Sequence, residues 1–285
     1  MIIIADSGAT KTDWRIIEHG KPIASFETIG LSPYFNRQED FLSALNQNYP
    51  KQINPEQVKE IFFYGSGCGL HERGQDVARY LGIFFSNAKI HAVTDALGAA
   101  RALFKRQTGI VVILGTGSNI AYYDGERLNN RTPSLGFVLG DEGSGAYMGR
   151  LLLRAYHYKT LDVGLAQKLE QQYNVELSHV LNMVYSAPRP SAYLASFVPF
   201  ILENIHNQHI YSIVKESFVA LYRYHFAVFE NLSDLSIGVT GSVGCLFSQV
   251  LDSVGEEYGF KISQYLRYPI VELINYHTQN AQNTP

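Results

Sequence analysis

The stretch that decides the fold is residues 2–17, IIIADSGATKTDWRII. The apolar run at 2–4 predicts a buried strand, residues 6–10 a turn, and residues 14–17 a second strand. A third strand at 23–26 follows the His19-Gly20 turn. The same order recurs about one domain length later, with strands predicted at 110–114 and 120–123 on either side of a Gly-rich turn. The sequence therefore predicts a duplicated unit that begins with antiparallel strands.

Helical patterns follow each set of strands. In the first half, Pro55 predicts a helix start, a strand is predicted at 61–64, and Thr94 predicts the start of another helix with Asp95 in its first turn. In the second half, helices are predicted at 142–158, 161–173, 210–229 and 242–254, and a strand at 235–239. Strands that alternate with helices indicate α/β architecture, with helices covering the sheets.

Composition excludes several classes of protein. The 285 residues are 46% hydrophobic and 17% charged with a net charge of −3, which is typical of a globular protein and not of a disordered one. A near-neutral charge disfavours nucleic-acid binding through a basic face and anchoring at a membrane surface. No apolar window reaches the length of about 18 residues that spans a bilayer, and we expect no signal peptide. Two cysteines, Cys68 and Cys245, provide no disulfide framework.

Three turns rich in Gly, Ser and Thr end predicted strands, at residues 6–10, 115–119 and 241–244. Such turns present backbone N–H groups that suit phosphate oxygens, although each turn alone could serve only chain reversal. Two common phosphate motifs are absent. A P-loop needs Gly before its Lys, but Thr10 precedes Lys11, and the Rossmann fingerprint needs a third Gly where Ile120 stands.

Five motifs together resemble those of the superfamily that contains actin, sugar kinases and heat-shock ATPases. Residues 6–14 are similar to its first phosphate motif, residues 113–119 to its second and residues 238–244 to its adenosine motif. Within that superfamily, residues 140–145 (GDEGSG) and 94–96 (TDA) resemble the N-acetylglucosamine kinase branch. That branch includes the BadF/BadG/BcrA/BcrD-type ATPases. The order of the motifs fits over nearly the whole chain.

The resemblance implies an α/β fold of two RNase H-like (actin-like ATPase) domains, with a nucleotide and sugar cleft between them. The N-terminal domain would comprise residues 1–107 and a C-terminal helix at 269–285 that returns to it. The C-terminal domain would comprise residues 108–268. The resemblance also implies ATP and Mg²⁺ as cofactors.

Asp95 is the general base that the resemblance implies, because phosphoryl transfer to a hydroxyl needs a carboxylate that takes the proton. From its position alone, Asp95 could merely complement the helix dipole beside a Thr94 cap. Asp6 would hold Mg²⁺ through water, or otherwise form an Asx turn. The residues implied to contact nucleotide are Gly8, Thr10, Lys11, Gly115, Thr116, Gly241, Ser242 and Gly244. Lys11 could equally be a solvated surface side chain.

Asp141 is the residue that the resemblance implies for sugar binding, because a carboxylate accepts hydrogen bonds from two hydroxyls at once. The other residues implied to line the sugar pocket are Ser66, Thr116, Gly117 and Asn119. Two positions depart from the family. Residues 32–34 lack the Asn that often helps to bind the sugar, and Leu135 stands where Trp is common.

The implied function is ATP-dependent phosphorylation of an amino sugar, with N-acetylglucosamine and its 6-hydroxyl as the first choice. Two alternatives stay open: an ATPase that activates a dehydratase or reductase, and a non-catalytic sugar or nucleotide sensor. Relatives of the activator type share a [4Fe–4S] cluster across a dimer, whereas Cys68 and Cys245 lie in different halves of this chain. We expect a cytoplasmic homodimer that binds a small sugar and neither nucleic acid nor membrane.

Overall fold

The computed structural model of the chain describes residues 1–8 and 10–280. The strands are β1 (Ile2–Ser7), β2 (Lys11–Glu18), β3 (Lys21–Ile29), β4 (Glu60–Gly65), β5 (Lys89–Val93), β6 (Gly109–Leu114), β7 (Ser118–Tyr123), β8 (Leu128–Asn129), β9 (Ile237–Thr240) and β10 (Ile262–Leu266). The helices are α1 (Gln38–Asn48), α2 (His71–Phe84), α3 (Asp95–Phe104), α4 (Gly136–Leu139), α5 (Gly145–His157), α6 (Val163–Gln172), α7 (Leu177–Tyr185), α8 (Pro190–Ala195), α9 (Val198–Glu203), α10 (Gln208–Leu221), α11 (Ser242–Leu246), α12 (Ser248–Tyr258) and α13 (Ile270–Asn280).

The chain divides into two compact units. Unit 1 contains Met1–Gln107, Gly125–Leu128 and the described residues from Tyr268 onward. Unit 2 contains Thr108–Asp124 and Asn129–Arg267. Each unit is built around its own sheet and has its own buried apolar cluster.

The sheet of unit 1 has five strands in the order β3-β2-β1-β4-β5. β1 is antiparallel to β2 and parallel to β4, and β4 is parallel to β5. The apolar start of the chain forms the central strand because Ile3, Ile4 and Ala5 can be buried completely. Trp14 on β2 stacks on Phe26 of β3 with ring centroids 5.3 Å apart, and its indole N–H donates to the Thr28 hydroxyl.

The second sheet, whose strands lie in unit 2 apart from Leu128 of β8, repeats this topology, with the order β10-β9-β6-β7-β8. β6 is the counterpart of β1, since it is antiparallel to β7 and parallel to β9. Ile110, Val112 and Leu114 of β6 are fully buried. The repeat predicted at the start of the two halves therefore extends to the order of all five strands in each sheet.

The last helix, α13, belongs to unit 1 and packs on α3 and β1. Leu273 is fully buried, and Glu272 lies 3.9 Å from the Lys105 ammonium. His277 stacks on Phe62 with ring centroids 3.7 Å apart, and its Nε2 lies 2.7 Å from the Tyr64 hydroxyl. Burial lowers the pKa of His277 to about 3, so this imidazole is neutral at ordinary pH.

Several predicted elements differ in extent. The helix predicted from Pro55 is a single 3₁₀ turn, Pro55–Gln57, because the chain becomes extended at Val58 before β4. The helix predicted from residue 142 begins at Gly145, where the Ser144 hydroxyl accepts from the Tyr147 N–H. The helix predicted at 242–254 divides into α11 and α12 around Phe247, and α1 and β10 were not predicted. None of the helices in the described ranges combines the length and the apolar character that crossing a membrane requires.

Candidate active site

Three of the predicted site residues of unit 1 lie at the same edge of its sheet. Asp6 is near the carboxyl end of β1, Ser66 follows β4, and Asp95 follows β5 by two residues. These three strands are parallel neighbours, and the backbone N–H of Ser66 donates to the Ser7 carbonyl. Ligand sites of α/β proteins are commonly found beyond the carboxyl ends of the strands.

Asp95 is fixed by the start of α3. The Thr94 side chain caps this helix, as the sequence predicts, and its hydroxyl donates to Asp95 Oδ1 at 3.0 Å. The backbone N–H of Ala96 donates to the same oxygen at 2.9 Å. Burial raises the pKa of Asp95, while these two hydrogen bonds oppose that increase. The result is a partly exposed carboxylate that is a stronger base than an ordinary Asp.

The charged form of Asp6 is disfavoured by its surroundings. Burial raises its pKa to about 7, and the charges of Asp95 and Asp13 add to the increase. Lys11 opposes it, but the Lys11 ammonium is already paired with Glu27. A cation at Asp6 would offset this excess of negative charge, and a carboxylate oxygen is a donor that Mg²⁺ accepts.

Asp6 does not belong to a ready-made metal cage. Within the described ranges, His, Cys, Asp and Glu side chains form no group of three or more that could hold a metal ion. Mg²⁺ is usually held by one or two carboxylates together with substrate phosphates and waters. The residues present therefore fit a Mg²⁺ ion that shares its coordination with a nucleotide, and they do not fit a structural metal site.

The turn after β1 is tight and exposed. The Gly8 N–H donates to the Lys11 carbonyl at 3.0 Å, and both Gly8 and Thr10 are exposed. The Gly8 N–H is thus already used within the turn and is not open to a phosphate in this conformation. Lys11 is turned toward Glu27 on β3, so a phosphate contact from its ammonium would need that surface ion pair to open.

The loop before α1 lies against the turn at Ser66. The Ser32 hydroxyl donates to the Ser66 carbonyl, and a Cβ atom at Gly67 would lie 2.5 Å from the Tyr34 ring. Asn36, four residues after Ser32, accepts from the Ser32 N–H and is used to close this loop. Residues 32–34, where the expected Asn is missing, therefore lie in a hydrogen-bonded turn beside Ser66.

In unit 2, Asp141 lies against the turn that contains Gly117 and Asn119. A Cβ atom at Gly117 would be 2.8 Å from Asp141 Oδ2, so this close approach requires glycine. Burial raises the pKa of Asp141, while a hydrogen bond from the Ser118 N–H opposes the increase. Asp141 and Asn119 line one cavity of about 490 Å³, together with Leu135, Leu139, Arg150 and Tyr224.

The two nucleotide motifs predicted in unit 2 meet at the end of β6. A Cβ atom at Gly241 would lie 2.3 Å from the Leu114 carbonyl oxygen, and one at Gly244 would lie 3.3 Å from the Leu114 side chain. Gly115 and Thr116 follow directly, and their carbonyls accept from the N–H groups of residues 145 and 146 at the start of α5. Ser242, the first residue of α11, is exposed beside them.

A buried polar pair that the sequence did not predict, Glu142 and His225, lines the cavity beside Asp141. Glu142 Oε2 lies 3.1 Å from His225 Nε2, and His225 Nδ1 lies 2.7 Å from the Thr132 hydroxyl. Glu142 stands out only as the neighbour of Asp141. His225 has no local signal, because it lies among apolar residues at helical spacing, Phe218, Tyr222, Phe226 and Phe229, all of which pack in or against the core. Only the fold brings it to Glu142.

Comparisons with known proteins show what the chain is similar to. A model of the BadF/BadG/BcrA/BcrD ATPase family matches residues 5–260. The structure of a candidate N-acetylglucosamine kinase from Porphyromonas gingivalis is 34% identical, with a TM-score of 0.90 over 99% of this chain and 100% of that chain. The comparison with curated proteins gives no match.

Two more distant structures share the fold. A candidate N-acetylglucosamine kinase from Chromobacterium violaceum is 19% identical, with a TM-score of 0.71 over 96% of this chain and 98% of that chain. A ROK family glucokinase from Streptomyces griseus, in complex with glucose and AMPPNP, is 15% identical, with a TM-score of 0.56 over 99% of each chain. The predicted fold class, an α/β protein of the actin-like ATPase type, is confirmed.

Proposed function

Because the chain belongs to the BadF/BadG/BcrA/BcrD ATPase family, we propose that it is an ATP-dependent sugar kinase that transfers phosphate to the 6-hydroxyl of N-acetylglucosamine or a close relative. The observation that carries the proposal is Asp95, a half-buried carboxylate at the strand ends beside Asp6. Support for the sugar comes from the 34% identical relative, which is a candidate N-acetylglucosamine kinase.

Asp95 would accept the proton of the attacking hydroxyl. Phosphoryl transfer requires the hydroxyl oxygen to approach phosphorus in line while its proton goes to a base, and such a base contributes about 10²–10⁴ in rate. Two hydrogen bonds hold Oδ1 of Asp95, so Oδ2 is the oxygen available for that proton. A raised pKa brings the base closer to the pH at which it works.

The turn at Gly8 and Thr10 and the turn at Gly115 and Thr116 would bind the phosphates through backbone N–H groups other than those of Gly8 and Gly115, which already donate to the Lys11 and Gly117 carbonyls. Gly241, Ser242 and Gly244 would contact the adenosine. Asp6 would hold Mg²⁺, which when bound offsets negative charge on the phosphate oxygens. Each of these groups would orient ATP or offset its charge.

Asp141 and Asn119 would hold the sugar by its hydroxyls, and Ser66 and Gly117 would complete the pocket. The cavity beside Asp141 also has an apolar wall, since Leu135 and Leu139 line it while 55% and 72% exposed. The methyl group of an N-acetyl substituent would cover part of this wall, which favours an N-acylated sugar over a plain hexose.

The test is release of ADP by the purified protein over a panel of hexoses, hexosamines and N-acetylhexosamines, with Asp95→Asn as the variant. We expect turnover with N-acetylglucosamine and a loss of about 10²-fold or more in Asp95→Asn, with ATP affinity retained. The exposed acid Asp76→Asn, in the same unit, is the matched control and keeps wild-type turnover. Substantial activity in Asp95→Asn would remove Asp95 from the mechanism.

Two other functions are outcomes of the same assay. No turnover with any sugar would leave a sensor or an ATPase that activates a redox enzyme. The activator would need cysteines to hold an iron–sulfur cluster, and the two cysteines of this chain, Cys68 and Cys245, lie in different units. A purified protein that contains iron would favour the activator all the same.

A further inference from the structure

The buried pair of Glu142 and His225 is not used by the proposed mechanism. Each side chain is 11% exposed, and both residues line the cavity that contains Asp141. The carboxylate accepts from His225 Nε2, and in a neutral imidazole Nδ1 then accepts from the Thr132 hydroxyl. The ring thereby joins three separate segments: the loop after α4, the loop at residue 132 and the end of α10.

His225 owes its position to an irregular backbone. The segment Tyr222–Phe226 directly after α10 forms a π-turn, a feature that often marks functional positions. Its neighbour Phe226 is fully buried and packs edge-on against Phe260 at 5.0 Å. The core therefore fixes this turn, and the turn fixes His225 against Glu142.

The loop that His225 holds is conformationally demanding. Asp141 has φ of +58° and Gly143 has φ of +81°, and for Asp141 this is a sparsely populated conformation. The Gly143 N–H donates to the Ser217 hydroxyl at 3.1 Å, and Ser217 on α10 is fully buried. Two contacts thus hold the loop directly after Asp141. His225 of the π-turn contacts Glu142, and Ser217 of α10 contacts Gly143.

We propose that His225 is a positioning residue, which acts through Glu142 to keep residues 140–143 in the conformation where Asp141 binds the sugar. This inference rests on the proposed function for the identity of the ligand. Loss of the imidazole would leave the Glu142 carboxylate buried without its partner, and the loop would relax toward ordinary backbone angles. The Asp141 carboxylate would then move from its place beside Gly117 and Asn119.

The variants are His225→Ala, His225→Gln and Glu142→Gln, compared with His209→Ala. His209 is a suitable control because it also lies near a carboxylate, Asp162 at 3.3 Å, in the same unit, but both of those side chains are 48% exposed. The readouts are the KM for N-acetylglucosamine, the KM for ATP, the melting temperature, and hydrogen exchange in the peptide that contains residues 140–144.

We expect His225→Ala to lower kcat/KM for the sugar roughly 10- to 100-fold, with the KM for ATP unchanged, and to speed exchange in that peptide. His225→Gln should recover part of the loss because its amide can still donate to Glu142. The double variant His225→Ala/Glu142→Gln should be no worse than the worse single variant, since both remove one interaction. His209→Ala should match the wild type.

Two results would overturn the inference. One is wild-type sugar kinetics and exchange in His225→Ala. The other is a general loss, in which the melting temperature falls and the KM values for sugar and ATP rise together, because His225 would then be only a core residue. If the wild-type protein phosphorylates no sugar, the proposed function fails separately. Hydrogen exchange then decides whether His225 holds the loop, and unchanged exchange overturns it.

Discussion

At the scale of single residues, three aspartate side chains lie where burial disfavours the charged form of the carboxyl group. Asp6, Asp95 and Asp141 all have raised pKa values, and burial is the largest cause in each. Carboxylates with shifted pKa values cluster at functional sites, because ligand binding and proton transfer often depend on such shifts. Burial affects Asp6 and Asp95 in the same way, but their proposed roles differ. Asp6 would bind a metal ion, and Asp95 would accept a proton.

His277 gives a prediction of pH dependence that is independent of the site. Its pKa is about 3 in the folded protein, whereas an exposed His titrates near 6.5. Between these values the unfolded chain binds a proton that the folded chain does not, so the free energy of unfolding decreases as pH falls from about 6.5 toward 3. In His277→Gln this part of the decrease is absent.

The measurement is urea unfolding of the wild type and His277→Gln at several pH values between 4 and 7.5. The curve of unfolding free energy against pH should be shallower for the variant on the acid side. The exposed His71→Gln, in the same unit, should retain the wild-type slope. Parallel curves for His277→Gln and the wild type would mean that His277 is protonated in the folded state.

At the scale of elements, the placement of Asp95 depends on how closely α3 approaches the sheet. Gly98, one turn after Asp95, faces the Tyr64 ring on β4, and a Cβ atom there would lie 2.8 Å from the ring. Ala96, Ala99, Ala100 and Ala102 supply further small side chains on this helix. Small residues let the backbone of α3 lie against β4, which brings the start of the helix to the strand ends.

Gly98→Ala should therefore destabilise the protein by about 1–3 kcal/mol through overpacking, and it should lower turnover by displacing Asp95. Gly82→Ala in α2 is the matched control, because its Cβ would meet Ile90 at an ordinary 3.7 Å. That variant should gain up to about 1 kcal/mol from helix propensity. Chemical denaturation and the ADP-release assay measure both effects. A Gly98→Ala variant as stable as Gly82→Ala would show that α3 can move away without cost.

At the scale of the whole molecule, the same five-stranded topology occurs twice, and each unit holds a different part of the proposed machinery. Asp6, Ser66 and Asp95 belong to unit 1, whereas the turn at 115–119, Asp141 and the motif at 241–244 belong to unit 2. The groups proposed for phosphoryl transfer are thus divided between the two units. Turnover should therefore require both units to engage their ligands.

This division predicts that sugar controls ATP consumption. A kinase that completes its site only when sugar is bound avoids transferring phosphate to water. We expect the rate of ADP release to increase about tenfold or more when saturating N-acetylglucosamine is added to protein and MgATP. Phosphate release measured in parallel distinguishes hydrolysis from transfer to sugar. A fast rate of ATP hydrolysis without sugar, unchanged on its addition, would contradict the expectation.

The sequence predicted the central strands well because their apolar runs must be buried wherever they occur. Residues 2–4 and 110–114 lie in β1 and β6, and Thr94 caps α3 with Asp95 in its first turn. These features are local, since a strand of Ile and Val or a Thr cap carries its own physical cause. The motif resemblance identified the family for the same reason, because each motif is a short contiguous segment.

What the sequence by itself determined is thus the repeated α/β pattern, the turns that end its strands and the carboxylates beside them. Tertiary structure alone decided where helices stop and which distant residues meet. The helix predicted at 142 begins at 145 because residues 141–143 form the loop held from α10, and the one predicted at 210–229 changes to a π-turn at 222. His225 meets Glu142 across 83 residues of chain, and no local propensity records a contact that depends on packing between helices.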